Sequence, residues 1–211
     1  MHMRKRPQLL PRLARCAPIT VSRPEEYRGE WRLRHDEYSW VDIEIGCGKG
    51  RFTSGIALEN PDILMVGIER VPEAIVIAME RAVEAGLDNV RFINLDAGGL
   101  MDMFAPGEVR RIYLNFSDPW PKRRDEKRRL TNAGFLDMYS EILEPHGEIY
   151  LKTDNSAFFD YSLGSFEKNG YELKYVTRNL HENGAAEIMT DYEVRFHGEG
   201  IPIRKAIARK K

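Results

Sequence analysis

The sequence predicts one α/β domain with a doubly wound, mostly parallel sheet. From residue 40 onward, short apolar runs alternate with segments whose apolar residues recur at helical spacing. Glycine, proline and asparagine interrupt the chain between most of these segments. The length of 211 residues, with 42% hydrophobic and 31% charged residues, suits a soluble domain with a full core. Repeated alternation of strand and helix favours a sheet that is covered by helices on both faces.

Seven segments are predicted as strands because each is a short run rich in apolar, β-branched or aromatic residues. In chain order they are 40–46, 63–69, 90–94, 110–116, 148–153, 171–177 and 192–197. Most of them are followed by a helical segment, which is the pattern of a parallel sheet.

Four segments are predicted as helices, in chain order 50–59, 72–85, 131–143 and 156–169. The first stops at Asn60-Pro61, the second has Pro72 in its first turn and ends at Gly86, and the fourth ends at Gly170. Apolar residues at helical spacing support the second helix: Ile75, Ala78, Met79, Ala82 and Val83. The third helix has one apolar face: Phe135, Met138, Tyr139 and Ile142.

The first 35 residues differ from the remainder of the chain. They lack clear periodicity and contain four prolines, so residues 1–35 are predicted to be an extended, partly disordered basic arm. Residues 36–211 are predicted to form the single folded domain.

The net charge of −1 conceals a strong segregation of charge. Residues 1–35, 121–129 and 204–211 together hold 20 of the 32 basic residues and 5 of the 33 acidic ones, leaving 12 basic and 28 acidic residues elsewhere. This pattern indicates an electropositive surface for a polyanion on an acidic body. For the two termini, an equally simple explanation is that basic ends increase solubility.

Several classes of protein are disfavoured by composition. No apolar run approaches the roughly 20 residues that span a bilayer, and no signal-peptide core follows the basic N-terminus, so a cytoplasmic protein without membrane contact is expected. Cys16 and Cys47 are too few for a disulfide framework, and the five histidines are scattered. We therefore expect no metal site.

A glycine-rich turn follows the first predicted strand, in the order Glu44-Ile45-Gly46-Cys47-Gly48-Lys49-Gly50. Glycine permits positive φ and close approach of a ligand to the backbone. The spacing G-x-G-x-G differs from the G-x-G-x-x-G dinucleotide fingerprint. S-adenosylmethionine has no phosphate, and Glu44 can attract its ammonium group. The alternative is a tight turn without a ligand.

Acidic residues follow the next strands. Glu69 ends the second strand and can accept hydrogen bonds from both hydroxyls of a ribose, although alone it reads as a solvated charge. Asp96 follows the third strand and can accept from an adenine amino group or cap the segment after it. With Glu44 and Asp118, these residues end four successive strands, which places them in one crevice if the sheet is parallel.

The segment 117–129 follows the fourth strand and combines a carboxylate, an aromatic ring stiffened by prolines and six basic residues. Asp118 can accept hydrogen bonds, and Trp120 can stack on a base or lie partly in the core. Basic side chains such as Lys122 can meet phosphates or remain solvated. The segment therefore has the parts to hold a base beside a polyanionic backbone.

The four acidic strand ends resemble those of class I S-adenosylmethionine-dependent methyltransferases, which have a Rossmann-like fold. The resemblance narrows to the bacterial tRNA (guanine-N7-)-methyltransferase family at Asp118-Pro119-Trp120-Pro121-Lys122 and Lys127-Arg128-Arg129. Asp154 and the run Thr190-Asp191-Tyr192-Glu193 match it as well, and the similarity extends over about residues 37–197. The family usually has a histidine where this chain has Asp125, which bears only on a contact from that position.

The resemblance implies methyl transfer from S-adenosylmethionine to N7 of guanine 46 in the variable loop of tRNA, by a monomer or homodimer. It implies these donor-binding residues: Glu44, Gly46, Gly48, Gly50, Glu69, Arg70, Asp96, Ala97, Asn115 and Asp118. It implies these substrate-binding residues: Lys122, Arg124, Arg128, Arg129, Asp154, Thr190, Asp191, Tyr192 and Glu193. Asp118 is the expected catalytic residue.

Two roles for Asp118 stay open at this level. It either accepts hydrogen bonds from the guanine amino edge or favours the positive charge that develops on the base.

Two rival functions also stay open. A methyltransferase for a small molecule or a protein would leave the charge segregation unexplained, and a catalytically silent RNA-binding module would leave the acidic strand ends unexplained.

Overall fold

A computed structural model describes residues 9–182 and 187–211 of the chain. Seven strands form one sheet in the order β3-β2-β1-β4-β5-β7-β6. The strands are β1 Trp40–Ile45, β2 Ile63–Ile68, β3 Val90–Ile93, β4 Val109–Asn115, β5 Leu143–Thr153, β6 Tyr171–Thr177 and β7 Arg204–Lys210. The first five are parallel, and β7 runs antiparallel between β5 and β6. The predicted fold class is confirmed.

Helices cover both faces of the sheet. They are α1 Leu9–Arg15, α2 Arg51–Glu59, α3 Pro72–Glu84, α4 Leu100–Met103, α5 Ala133–Ile142, α6 Ser156–Lys168 and α7 Asp191–Gly198. One apolar layer contains α2 and α3 residues such as Phe52 and Met79, and the other contains α5 and α6 residues such as Tyr139 and Phe159. All six residues of β2 are buried, as expected for a strand in the middle of a covered parallel sheet.

The prediction of a strand at 192–197 is wrong, because this segment is the helix α7. Tyr192, Val194 and Phe196 alternate with polar residues, which is the pattern of a strand. The helix instead starts from a capping box, in which Thr190 and Glu193 satisfy each other's backbone N–H groups. Local capping therefore outweighs the alternation.

The C-terminal segment forms β7, which the sequence did not predict. Arg209 pairs with Glu148 at 2.6 Å, and Lys210 donates to the Leu143 carbonyl at 2.9 Å. These basic groups are used within the sheet, so this segment contributes less to an electropositive surface than its composition suggests.

The N-terminal segment also differs from the predicted extended arm, although residues 1–8 lie outside the described residues. Val21 donates its N–H to the Phe92 carbonyl at 2.9 Å. Trp31 is fully buried, and its indole N–H donates to the Met103 carbonyl at 2.9 Å. Burial of a whole indole ring explains why residues without periodicity are ordered here.

The apolar face predicted for the second helix is only partly correct. Val83 of α3 is 47% exposed, whereas Ile75, Ala78, Met79 and Ala82 are buried.

In the described part of the chain, none of the helices has the length and apolar character needed to cross a membrane.

Candidate active site and nucleic-acid interface

The carboxyl ends of the first four strands meet at one edge of the sheet. Glu44 of β1 lies in register between Gly67 of β2 and Tyr113 of β4. The side chain of Arg70 spans the crevice, with guanidinium nitrogens 4.0 Å from Asp96 Oδ2 and 4.0 Å from Asp118 Oδ2. The structure thus brings the predicted acidic residues together, as parallel strands require.

The three glycines of the turn after β1 all have positive φ, but they serve different purposes. A Cβ at Gly46 (φ 79°) or Gly48 (φ 55°) would meet open space. A Cβ at Gly50 would lie 2.5 Å from the Ala78 Cβ. Gly46 and Gly48 therefore leave room for a ligand, whereas the lack of a side chain at Gly50 lets α2 pack against α3.

Glu69 holds the glycine turn against the end of β2. Its carboxylate accepts from the Gly48 N–H at 3.1 Å and from the Val71 N–H at 2.9 Å. These bonds fix the orientation of the carboxylate at the crevice, so Glu69 is more than a solvated charge at a strand end.

Glu44 lies under the glycine turn and is only 2% exposed. Its carboxylate accepts from the Thr53 hydroxyl and from the Asn115 side-chain amide, the latter at 2.9 Å. Burial raises the pKa of Glu44 to about 7, although these hydrogen bonds and Lys152 oppose the shift. Among the described residues, none donates to the buried Asn115 Oδ1 atom. An acceptor beside a buried carboxylate suits a cationic N–H donor.

Asp96 caps the short turn that follows β3, which was the alternative to a donor contact. Its Oδ1 accepts from the Gly98 N–H at 2.9 Å. Its other oxygen faces Arg70, and Ala97 beside it is buried. Asp96 can therefore cap the turn and present one oxygen to the crevice.

The loop after β4 carries Asp118, whose side chain is 66% exposed. Phe116 (φ 53°) and Trp120 (φ 41°) on either side of it adopt left-handed backbone conformations. Such conformations are rare for aromatic residues and concentrate at functional sites. The strained loop therefore presents the carboxylate to solvent at the sheet edge.

The basic segment divides into outward and inward side chains. Lys122 and Arg124 are exposed, the latter at 77% of its side chain. The Arg128 guanidinium lies 3.4 Å from the centre of the Trp120 ring. Arg129 turns inward and donates to the carbonyls of Pro119 and Trp120. The positive charge that is free to meet a ligand thus includes Lys122 and Arg124, which are called the outward group below.

Helix α7 adds an aromatic side chain to the edge of the crevice. Tyr192 is 53% exposed, and its ring stacks on that of Phe116, with centroids 6.3 Å apart and planes 16° apart. Because Phe116 lies two residues before Asp118, the exposed face of Tyr192 is close to the carboxylate loop. A partly exposed aromatic face suits an unstacked base.

Three other predicted substrate contacts in or near α7 are engaged with the protein. Glu193 is fully buried, 3.2 Å from the Lys152 ammonium and 3.0 Å from His181 Nε2. Thr190 caps the helix, and Asp191 lies 3.3 Å from an Arg81 guanidinium nitrogen. Glu193 therefore differs from the predicted contact and instead fixes α7 on the sheet.

Neither Lys152 nor Asn155 is among the functional residues predicted from the sequence. Lys152 is buried in β5 and also pairs with Glu187 at 3.0 Å, which ties the segment before α7 to the sheet. Asn155 caps α6 by accepting from the Phe158 N–H at 2.8 Å. Because Asn155 fills this position, the half-buried Asp154 is not the helix cap.

Within residues 9–182 and 187–211, no group of three histidine, cysteine, aspartate or glutamate side chains is arranged to hold a metal ion. Cys16 and Cys47 are both buried and free.

Residues 39–206 match the family model described as "Putative methyltransferase". A tRNA (guanine-N(7)-)-methyltransferase of Bacillus subtilis (strain 168) is 46% identical over 207 residues, which cover 98% of this chain and 97% of the relative. One of Streptococcus suis is 44% identical over 210 residues, covering 99% of each chain.

The chain belongs to the tRNA (guanine-N(7)-)-methyltransferase family.

Solved structures with lower identity agree with the methyltransferase fold of this family. The 16S rRNA methyltransferase KamB has a TM-score of 0.65 at 15% identity, covering 87% of this chain and 93% of that chain. An antibiotic-related methyltransferase has a TM-score of 0.63 at 16% identity, covering 86% and 92%. At this identity, the likeness supports the Rossmann-like class I architecture alone.

Proposed function

We propose that this family member transfers a methyl group from S-adenosylmethionine to N7 of guanine 46 in tRNA. One observation carries the proposal. Glu44, Glu69 and Asp118 converge at one sheet edge, below an open glycine turn and beside an exposed aromatic and basic surface. This edge offers one place for an adenosyl ligand and an adjacent place for a nucleic acid base.

The residues present fit the donor. Gly46 and Gly48 leave space at the turn, and the fixed Glu69 carboxylate can accept from a ribose diol. Glu44 and the Asn115 Oδ1 atom supply acceptors for an ammonium group. When bound, S-adenosylmethionine supplies an activated methyl group on a sulfonium centre.

The side chains at the edge suit methylation of a guanine N7 atom. N7 carries a free lone pair, so no base is needed to remove a proton before attack. The task of the protein is then to orient the guanine and to favour the charge that develops on it. The exposed carboxylate of Asp118 can do either, and Tyr192 offers the ring a stacking surface.

The outward group of basic residues supports a polyanionic substrate. Lys122 and Arg124 are exposed on the segment that follows Asp118 and can meet the phosphates that flank the target base. Asp154 and Tyr192 complete the proposed contacts with the nucleoside. We place the enzyme in the cytoplasm as a monomer or homodimer, which analytical ultracentrifugation distinguishes.

The test is to incubate the protein with an unmodified tRNA transcript and methyl-labelled S-adenosylmethionine, and then to identify the labelled nucleoside by mass spectrometry. We expect 7-methylguanosine, and we expect its loss in a transcript with adenosine at position 46. Donor binding without tRNA-dependent transfer would support a different substrate class. Binding of tRNA without transfer would support a silent RNA-binding module.

A further inference from the structure

Arg129 is bonded to the backbone of the loop that carries Asp118. Its Nε atom donates to the Pro119 carbonyl at 3.1 Å and to the Trp120 carbonyl at 3.2 Å. Its Nη2 atom donates to the Trp120 carbonyl at 3.0 Å. The guanidinium is therefore hydrogen-bonded to the carbonyls of the two residues that directly follow Asp118. Hydrogen bonds from a charged donor are stronger than neutral ones and restrict the geometry more tightly.

The guanidinium also packs against an aromatic ring of a neighbouring helix. Its carbon lies 4.2 Å from the centre of the Tyr161 ring, which belongs to α6. That helix is joined to the chain after Arg129 by two buried hydrogen bonds. Thr131 and Ser162 share one at 2.8 Å, and Ser165 donates to the Thr131 carbonyl at 2.6 Å. Arg129 thus connects a rigid helix to the Asp118 loop.

The loop needs such support because its backbone is strained at both ends. Phe116 and Trp120 have φ of 53° and 41°, which are unfavourable for residues with a Cβ. Phe116 is held from the sheet, since its N–H donates to the Lys152 carbonyl at 2.8 Å. At the other end, Arg129 bonds the Trp120 carbonyl directly.

We infer that Arg129 is a positioning residue that holds the Asp118 carboxylate in place for methyl transfer, and is not a contact to RNA phosphate. Two of the three guanidinium nitrogens already donate to the loop carbonyls, and one face of the group lies against the Tyr161 ring. The activity readout of this inference rests on the proposed function, whereas the loop conformation can be measured without it.

The test compares Arg129→Gln with Arg124→Gln, which removes an exposed arginine from the same segment, and with Lys174→Gln, which removes an exposed basic residue from the edge strand β6. For Arg129→Gln we expect kcat at saturating tRNA to fall at least about tenfold, or about 1.4 kcal/mol. The slope of log affinity for tRNA against log salt should not change. For Arg124→Gln we expect that slope to flatten by about 0.7–0.9, the effect of one lost phosphate contact. Lys174→Gln should change neither quantity.

Hydrogen–deuterium exchange of the ligand-free protein supplies the second measurement. Amides of residues 117–121 should exchange faster in Arg129→Gln than in the wild type or in Arg124→Gln. Arg129→Lys keeps the charge but loses the planar fork, so it should also speed exchange and lower kcat. These variants can be compared by circular dichroism to establish that they are folded.

Two results would overturn the inference: a flattened salt slope with unchanged kcat in Arg129→Gln, or unchanged exchange of the loop. If the wild-type protein does not methylate tRNA, the proposed function fails. The exchange experiment would still decide whether Arg129 holds the loop.

Discussion

Replacing Glu44 with glutamine should stabilise the ligand-free protein above neutral pH and weaken its binding of the methyl donor. Glu44 is buried beneath the glycine turn, and burial raises its pKa to about 7 from the ordinary value of 4.5. An acid whose pKa is raised by folding contributes its full stability below the unfolded pKa. That contribution is lost as pH rises through the folded pKa.

The size of the effect follows from these two values. The difference between about 7 and 4.5 corresponds to about 3 kcal/mol, at about 1.4 kcal/mol per pH unit. Glutamine stays neutral, keeps an acceptor for Thr53 or Asn115 and can donate to the buried Asn115 Oδ1 atom. The difference in free energy of unfolding between Glu44→Gln and the wild type should therefore grow by about 3 kcal/mol as pH rises from about 4.5 to about 8.

The assay is urea unfolding of the ligand-free protein, followed by circular dichroism at several pH values in this window. The exposed Glu59→Gln variant controls for the loss of one glutamate charge. Calorimetry should show donor affinity reduced at least about tenfold in Glu44→Gln, since the charged partner of the ammonium group is gone. A stability difference between Glu44→Gln and the wild type that is the same at all pH values would refute the burial argument.

Three further substitutions test the remaining parts of the crevice. Glu69→Ala should raise the donor dissociation constant at least about tenfold. Glu69→Gln keeps an acceptor for the Gly48 N–H, so its donor affinity should fall less. If calorimetry shows the same loss of donor affinity in both variants, the bond from Glu69 to the glycine turn does not contribute to donor binding. Asp118→Asn keeps the shape of the side chain and should lower turnover far more than donor affinity, and near-normal turnover in the methylation assay would make Asp118 structural. Gly48→Ala puts a Cβ into the space proposed for the ligand, so it should reduce donor affinity. Because φ at this position is 55°, the same substitution should lower the free energy of unfolding by about 1 kcal/mol. Unchanged donor affinity would mean that the ligand lies elsewhere.

The sequence predicted the core of the fold because its signals are local. The apolar run of β2 and the helical spacing in α3 each need only a few neighbouring residues to be recognised. The positions of Glu44, Glu69 and Asp118 could be predicted for a related reason. Each follows or ends a strand, and parallel strands bring their carboxyl ends to one edge.

Other features were decided by contacts between residues that are distant along the chain. The run 204–211 looks like a charged tail until β5 and β6 provide hydrogen-bonding partners on both sides of it. The run 192–197 alternates like a strand, but Glu193 is buried against Lys152, 41 residues earlier, and its capping box with Thr190 starts a helix.

The same distinction applies to the site itself. By composition, Arg129 is one of six basic residues in the segment 117–129 that could meet a phosphate. Only the folded chain turns it onto the Trp120 carbonyl and the Tyr161 ring. The sequence thus determined which chemical groups lie at this edge, since the ends of the parallel strands are recognised from local patterns. Tertiary packing decided which of those groups face a substrate, because burial and long-range hydrogen bonds depend on residues that meet only after folding.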